Sequence, residues 1–258
     1  AVTIVTAGLA IELFGITTNI TIWAAIITFC CLIILLVGQY KFLDKLMKFV
    51  IIILAISTIV AVFFASINSS NTIEISQVFP KDQVGIAFIV AFMGWMPAPL
   101  DVSIWQSIWT LEKKKKEKNI NNNNIILDFN IGYLTTIILG ICFIALGAFV
   151  MYGSGESFSN QGGEFAKQLI NLYTDSIGSG VFIIIAIAAF TTMFSTTITC
   201  LDASPRAMKI TSRLLGFKKV DNYNFWIIIL ALGTLLIFIF FISEMGFLVK
   251  IATILSFI

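Results

Sequence analysis

The stretch Ala91-Phe92-Met93-Gly94-Trp95-Met96-Pro97-Ala98-Pro99-Leu100-Asp101 lies inside an apolar run from 84 to 111. Two prolines without N–H groups and a glycine with free backbone angles interrupt what is otherwise a membrane-length helix. Pro97 also pushes Met96 away from helical angles. The backbone is predicted to unwind here, so the carbonyls of 91–96 lose their helical partners. In a bilayer such groups are tolerated only where protein buries them or where they line a polar cavity. Discontinuous helices of this kind form substrate and ion sites in secondary transporters. A proline kink without a ligand is the plainer alternative. Asp101 falls in the first turn after the break, where the positive end of a half-helix favours a carboxylate. It reads either as a functional intramembrane acid or as a helix cap. The Met96 thioether is a soft ligand that separates transition metals from magnesium and calcium; methionine is also ordinary core filler.

The rest of the chain gives this break its setting. Its 258 residues have a mean hydropathy of +1.00, with 59% hydrophobic and 12% charged residues. A soluble domain carries about 25% charge, so a soluble enzyme is excluded. There is no histidine, which removes imidazole chemistry and histidine metal sites. No nucleophile elbow or phosphate-binding glycine loop is present, so neither an enzyme nor a resident cofactor is expected. The basic residues sit in short loops and form no extended face, which argues against nucleic acid. Cys30, Cys31, Cys142 and Cys200 all lie in apolar runs and read as packing thiols rather than a disulfide framework or zinc site. The chain starts without Met in sequence that looks mid-helical and stops inside an apolar run. It therefore reads as an internal fragment, with both ends truncated, of one transmembrane domain over 1–258.

A spanning helix needs about 20 apolar residues. Uncharged runs occur at 20–38, 49–67, 129–152, 177–201 and 225–243, beside the interrupted 84–111 and partial spans at 1–16 and 246–258. These are continuous runs rather than the alternation of a β-barrel, so eight membrane helices are expected. Lys41, Lys45 and Lys48 fall in one inter-helix segment, Lys113–116 and Lys118 in another, and Arg206, Lys209, Arg213, Lys218 and Lys219 in a third. The alternating segments hold only Lys81 and Lys167. All three basic segments fall on one side, which the positive-inside rule assigns to the cytoplasm. The segment 113–124 reads as a flexible cytoplasmic loop. Within 153–178, Phe165, Leu169 and Leu172 recur at helical spacing, suggesting a short helix on the outer membrane surface. Thr191, Thr192, Ser195, Thr196, Thr197 and Thr199 form a hydroxyl patch that either lines a cavity or bonds back to its own helix. Glu12 and Lys250 can snorkel and receive no role.

Met96-Pro97 in a broken helix, followed two spans later by Ser195-Thr196-Thr197-Ile198-Thr199, resembles the Nramp divalent-metal transporters. That family has Met-Pro-His in its sixth helix and a Ser-Ser-Thr-Ile-Thr-like run in its eighth. Leu13-Phe14-Gly15-Ile16 is similar to the end of the third helix, and 40–48 to the loop between the fourth and fifth. The resemblance implies an all-α membrane protein with leucine-transporter-like inverted repeats. This chain would cover roughly helices 3 to 10, with helix 6 broken. It also implies a metal site built from Met96, the backbone carbonyl of Met93, Asp101 as a nearby charge, and Thr253 beside Ala252 at the tenth-helix ligand position. The first-helix half of that site is absent from the chain. Ala98 stands where the family has histidine, Val2 where a third-helix glutamate is expected, and 222–226 lacks the ninth-helix arginines. These departures put the family's proton pathway in question and suggest a divergent branch.

The sequence thus points to import of divalent transition-metal cations, such as manganese or iron, by alternating access in a lipid bilayer. The metal is cargo, and symport with protons is in question. The lysine- and asparagine-rich loops fit a bacterial inner membrane. An amino-acid or other organic-solute transporter of the same superfamily is the alternative. A non-transporting membrane subunit is a third.

Overall fold

The computed structural model describes residues 2–37, 40–68, 79–95, 100–116, 122–152, 158–159, 161–217, 220–241 and 245–257. Among them the ordered elements are helical: α1 (Val2–Phe14), α2 (Ile20–Val37), α3 (Tyr40–Asn68), α4 (Gln83–Trp95), α5 (Leu100–Lys116), α6 (Asn122–Val150), α7 (Gly162–Ile177), α8 (Phe182–Leu214), α9 (Tyr223–Phe241) and α10 (Met245–Phe257). A 3₁₀ turn, Ser179–Val181, leads into α8. Long apolar runs without internal glycine–proline punctuation can satisfy their backbone only as helices. The stretches Asn123–Val150, Ser179–Leu214 and Tyr223–Phe241 are long and apolar enough to cross a membrane; Val2–Phe14, Ile20–Leu36, Ile51–Ile67, Gln83–Gly94 and Gly246–Leu255 are shorter apolar helices.

Polar residues set the helix ends. Asn19 Oδ1 accepts from the backbone N–H of Thr21 at 3.0 Å and Ile22 at 3.3 Å, starting α2. Asp82 Oδ2 accepts from Gly85 N–H at 2.9 Å, starting α4. Such caps satisfy N–H groups that the first turn leaves open. α8 stops where Gly216 takes a φ of +81° and Phe217 N–H returns to the Ser212 carbonyl at 2.9 Å; a glycine carries that left-handed angle without penalty.

α1 is the centre of the bundle. Ile4 through Ala10 are all buried, against α2, α7 and α8. α3 packs on α6, α7 and α8, and α9 on α8 and α2. The two halves of the interrupted run have different neighbours: α4 lies against α10, and α5 mainly against α8. Outward faces are apolar, with Ile131, Leu134 and Ile141 of α6 and Ile239 and Phe240 of α9 all exposed. That is the pattern of a helix bundle whose solvent is lipid.

Three segments differ from the sequence reading. The basic stretch 41–48 is helical as the start of α3. α5 runs through Lys116, so the lysine run 113–116 is helical, and 117–121 lie outside the described residues. α8 continues past 201 to Leu214 with Pro205 inside it. Lysine and arginine are good helix formers, so helices persist beyond the apolar run that hydropathy detects. α7 does form a helix. Its buried residues are Gly162, Ala166, Ile170, Leu172, Tyr173 and Ser176, and the helix packs into the bundle against α1, α3 and α8; of the three apolar residues read from the sequence Leu172 is buried, whereas Phe165 and Leu169 are half-buried.

Candidate functional site

The interrupted run supplies the first part of the site. α4 ends at Trp95 and α5 begins at Leu100; Met96, Pro97, Ala98 and Pro99 lie outside the described residues. In a regular helix the carbonyl of residue i accepts from the N–H of i+4. For Met93 and Trp95 that residue is Pro97 and Pro99, neither of which has an N–H. Their carbonyl oxygens are thus denied a helical donor by covalent structure alone. The Met93 side chain is 56% exposed, so its contribution to a ligand set would come through the backbone. Asp101 is exposed in the first turn of α5 and close enough to Cys200 on α8 to interact with it electrostatically. Thr253 is buried on α10, its hydroxyl donating to the carbonyls of Val249 at 3.0 Å and Lys250 at 2.9 Å. The packing of α10 on α4 brings its helix beside the one that carries Met93.

The hydroxyl patch of α8 divides between the two roles foreseen for it. Thr191, Thr196 and Thr197 donate back to the carbonyls of Ile187, Thr192 and Met193. Thr197 also meets Thr6 of α1 at 3.0 Å, a buried bridge between the two most enclosed helices. Thr192 Oγ1 is buried without a partner among the described residues. Beside this patch, α1, α2, α8 and α9 line a half-open cavity of about 170 Å³ bordered by Thr3, Thr28, Thr197, Cys200, Ser204 and Thr234, among others. Thr28 and Thr234 each donate to a carbonyl of their own helix, which leaves their oxygen lone pairs as polar lining. Leu201 also borders the cavity, and its carbonyl would pair with the N–H that Pro205 lacks. The cavity is therefore rich in acceptors and suits water or a cation.

A junction that sequence reading missed lies just beyond. Asp202 of α8 is buried. Its Oδ1 accepts from Tyr223 Oη of α9 at 2.8 Å, and its Oδ2 from Trp109 Nε1 of α5 at 3.1 Å. Arg206 Nε donates to both oxygens at 2.9 Å, and its guanidinium stands 5.1 Å from the Tyr223 ring centroid. Glu112 of α5 adds negative charge near Arg206. The only sequence signal was an acid and an arginine at i,i+4; Trp109 and Tyr223 are too distant in the chain to be read as partners.

A family model, Nramp (natural resistance-associated macrophage protein-like), matches residues 2–258. The chain belongs to the Nramp family. As a member it is an all-α integral membrane protein, in agreement with its helices and their apolar outer faces. The chain is also similar to an uncharacterized protein of Pasteurella multocida (strain Pm70), 39% identical over 232 residues. The match covers 87% of this Nramp chain and 53% of the relative, so the chain spans about half the length of that curated relative. No solved structure matches it. Among the described residues no group of three or more His, Cys, Asp or Glu side chains could hold a metal ion.

Proposed function

We propose that the protein imports divalent transition-metal cations, manganese- or iron-like, by alternating access across a bacterial inner membrane. The observation that carries this reading is the Nramp model's match from 2 to 258, in a chain whose Pro97 and Pro99 deny helical donors to the carbonyls of Met93 and Trp95. Met96 would supply a sulfur ligand and the carbonyl of Met93 an oxygen. Asp101 would lend a negative charge one turn into α5, and Thr253 an auxiliary oxygen from α10. Thioether sulfur selects for softer ions, while the oxygens accept any divalent cation. The cation sheds water only where fixed oxygens replace it, and carbonyls without helical donors suit that task. Because α4 rests mainly on α10 and α5 mainly on α8, the two halves can move separately while α1 and α8 stay joined through Thr6 and Thr197.

The test is uptake by liposomes containing the full-length protein. Manganese and cadmium should enter and magnesium should not. Met96→Ala should lower uptake by about tenfold or more, the effect of losing one ligand. Met93→Ala keeps its carbonyl and should stay within about twofold of the parent. Folded protein that carries neither metal, yet binds an amino acid in competition assays, overturns this reading in favour of an organic-solute carrier.

A further inference from the structure

We infer that Asp202 and Trp109 form a latch: the indole of α5 donating to the buried carboxylate of α8 holds the cytoplasmic half of the broken helix closed against the α8–α9 scaffold. The inference rests on the transport reading for its purpose, but its geometry stands apart from any metal.

The contacts of Asp202 divide unevenly between scaffold and half-helix. The two Arg206 contacts lie within α8, and the Tyr223 contact comes from α9, which packs along α8. The Arg206–Tyr223 ring contact adds a further tie between the same two helices. Among the described residues one donor alone, Trp109 Nε1 at 3.1 Å, comes from α5. Breaking that bond frees α5 from the carboxylate and leaves Asp202 still paired with Arg206 and Tyr223. A buried carboxylate that kept no partner would resist the step strongly; this one keeps two. The indole N–H faces the reverse situation, since it is a donor only and needs a new acceptor, water or lipid headgroup, once α5 moves. The bond is therefore asymmetric, with a permanent acceptor on the scaffold and a detachable donor on the moving part. Trp105, one turn earlier on α5, meets the Trp109 ring edge-on with centroids 6.3 Å apart, which limits the ring orientations available to Trp109. Ile108, the residue before Trp109 in α5, is buried.

The latch lies next to the cavity. Cys200, Leu201 and Ser204, which flank Asp202 in the chain, all line it. Asp101 in the first turn of α5 stands close enough to Cys200 to interact with it electrostatically, so release of α5 should uncover Cys200 to the cytoplasmic side. Asp202 and Trp109 are positioning residues in this scheme, since neither touches the cargo.

The experiment uses full-length protein with every cysteine but Cys200 replaced, in inside-out membrane vesicles. The readout is the rate at which Cys200 reacts with a membrane-impermeant maleimide. Trp109→Phe keeps a ring and removes the donor, and should raise the rate by about tenfold, the scale of one hydrogen bond to a charged group. Tyr223→Phe removes a scaffold bond from the same carboxylate without detaching α5, and should change the rate less than about twofold. If Trp109→Phe fails to fold, Asp202→Asn weakens the same bond from the acceptor side and should raise the rate in the same direction. A Trp109→Phe rate equal to the parent's, or an equal rise in Tyr223→Phe, overturns the latch. A selective rise in a protein that carries no metal supports the latch and sinks the metal reading alone. Normal metal uptake with no change in labelling does the reverse.

Discussion

α1 and α4 are both apolar helices of 13 residues, yet they occupy opposite kinds of environment. α1 buries every residue from Ile4 to Ala10, so it is enclosed on all sides. Among the α4 residues whose burial is described only Gly94 is buried, and Val84, Phe88 and Met93 are exposed. α1 meets α7 through Gly8 and Gly162, where the backbones approach so closely that a Cβ on Gly8 would collide with the Gly162 carbonyl. α4 instead offers one face of small residues, Ala87, Ala91 and Gly94, while its principal neighbour is α10. Without a hydrophobic force between helices in lipid, close packing and hydrogen bonds decide which helices hold together. By that measure α1, α7 and α8 form the fixed part of the bundle, while α4 and α5 are attached at fewer points.

The largest effect expected from this contrast is at the glycine contact. Gly8→Val should force α1 and α7 apart and cost about 3 kcal/mol, the upper range for overpacking a tight core. It should appear as a lost or strongly lowered unfolding transition in detergent. A melting temperature equal to the parent's would mean that α1 and α7 are not the rigid centre.

Next in size is the junction between the fixed and the loosely attached parts. Asp202→Ala removes the acceptor of Trp109, Arg206 and Tyr223 together. It leaves a partly buried guanidinium without its carboxylate, at a cost of about 2–3 kcal/mol. Thermal unfolding of the purified protein checks this, and a loss no larger than that of an exposed substitution would remove the junction from the scaffold.

The smallest effect is expected at the surface pair beyond α8. Arg213 donates to Asp221 at 2.8 and 3.1 Å, and that hydrogen bond holds the Asp221 carboxyl below its ordinary range. A lowered folded value adds stability above the unfolded value of about 3.9, and that stability is lost as pH falls through the folded value. Asp221→Asn should therefore lower the melting temperature slightly at pH 7. The difference should persist to pH 5 and vanish in stronger acid. A difference that grew on acidification would contradict the sign of this pairing.

Much of the fold was legible because hydropathy and covalent constraint act locally. The interruption expected within 91–101 follows from prolines that lack N–H groups; α4 reaches Trp95, α5 starts at Leu100, and 96–99 lie outside the described residues. α7 was legible as a helix from its spacing, while the full set of its buried residues was not. The helical continuation of α8 past Pro205 was hidden because hydropathy reports where apolar sequence stops, not where a helix does. Of the candidate site, Met93, Asp101 and Thr253 could be named from pattern and resemblance. The acceptor-lined cavity could not, because Thr3, Thr28, Thr197 and Thr234 come from four helices.

By itself the sequence determined that this chain crosses a membrane as helices and that helical hydrogen bonding lacks its donors at Pro97 and Pro99. The first follows from the need of each backbone N–H and carbonyl for a partner in lipid, the second from the covalent structure of proline. Only the tertiary structure decided that Asp202 joins Trp109, Arg206 and Tyr223, and that α1 rather than α4 is enclosed. Those outcomes depend on which faces of distant helices meet, and a carboxylate's partners 21 and 93 residues away leave no periodic trace in the chain.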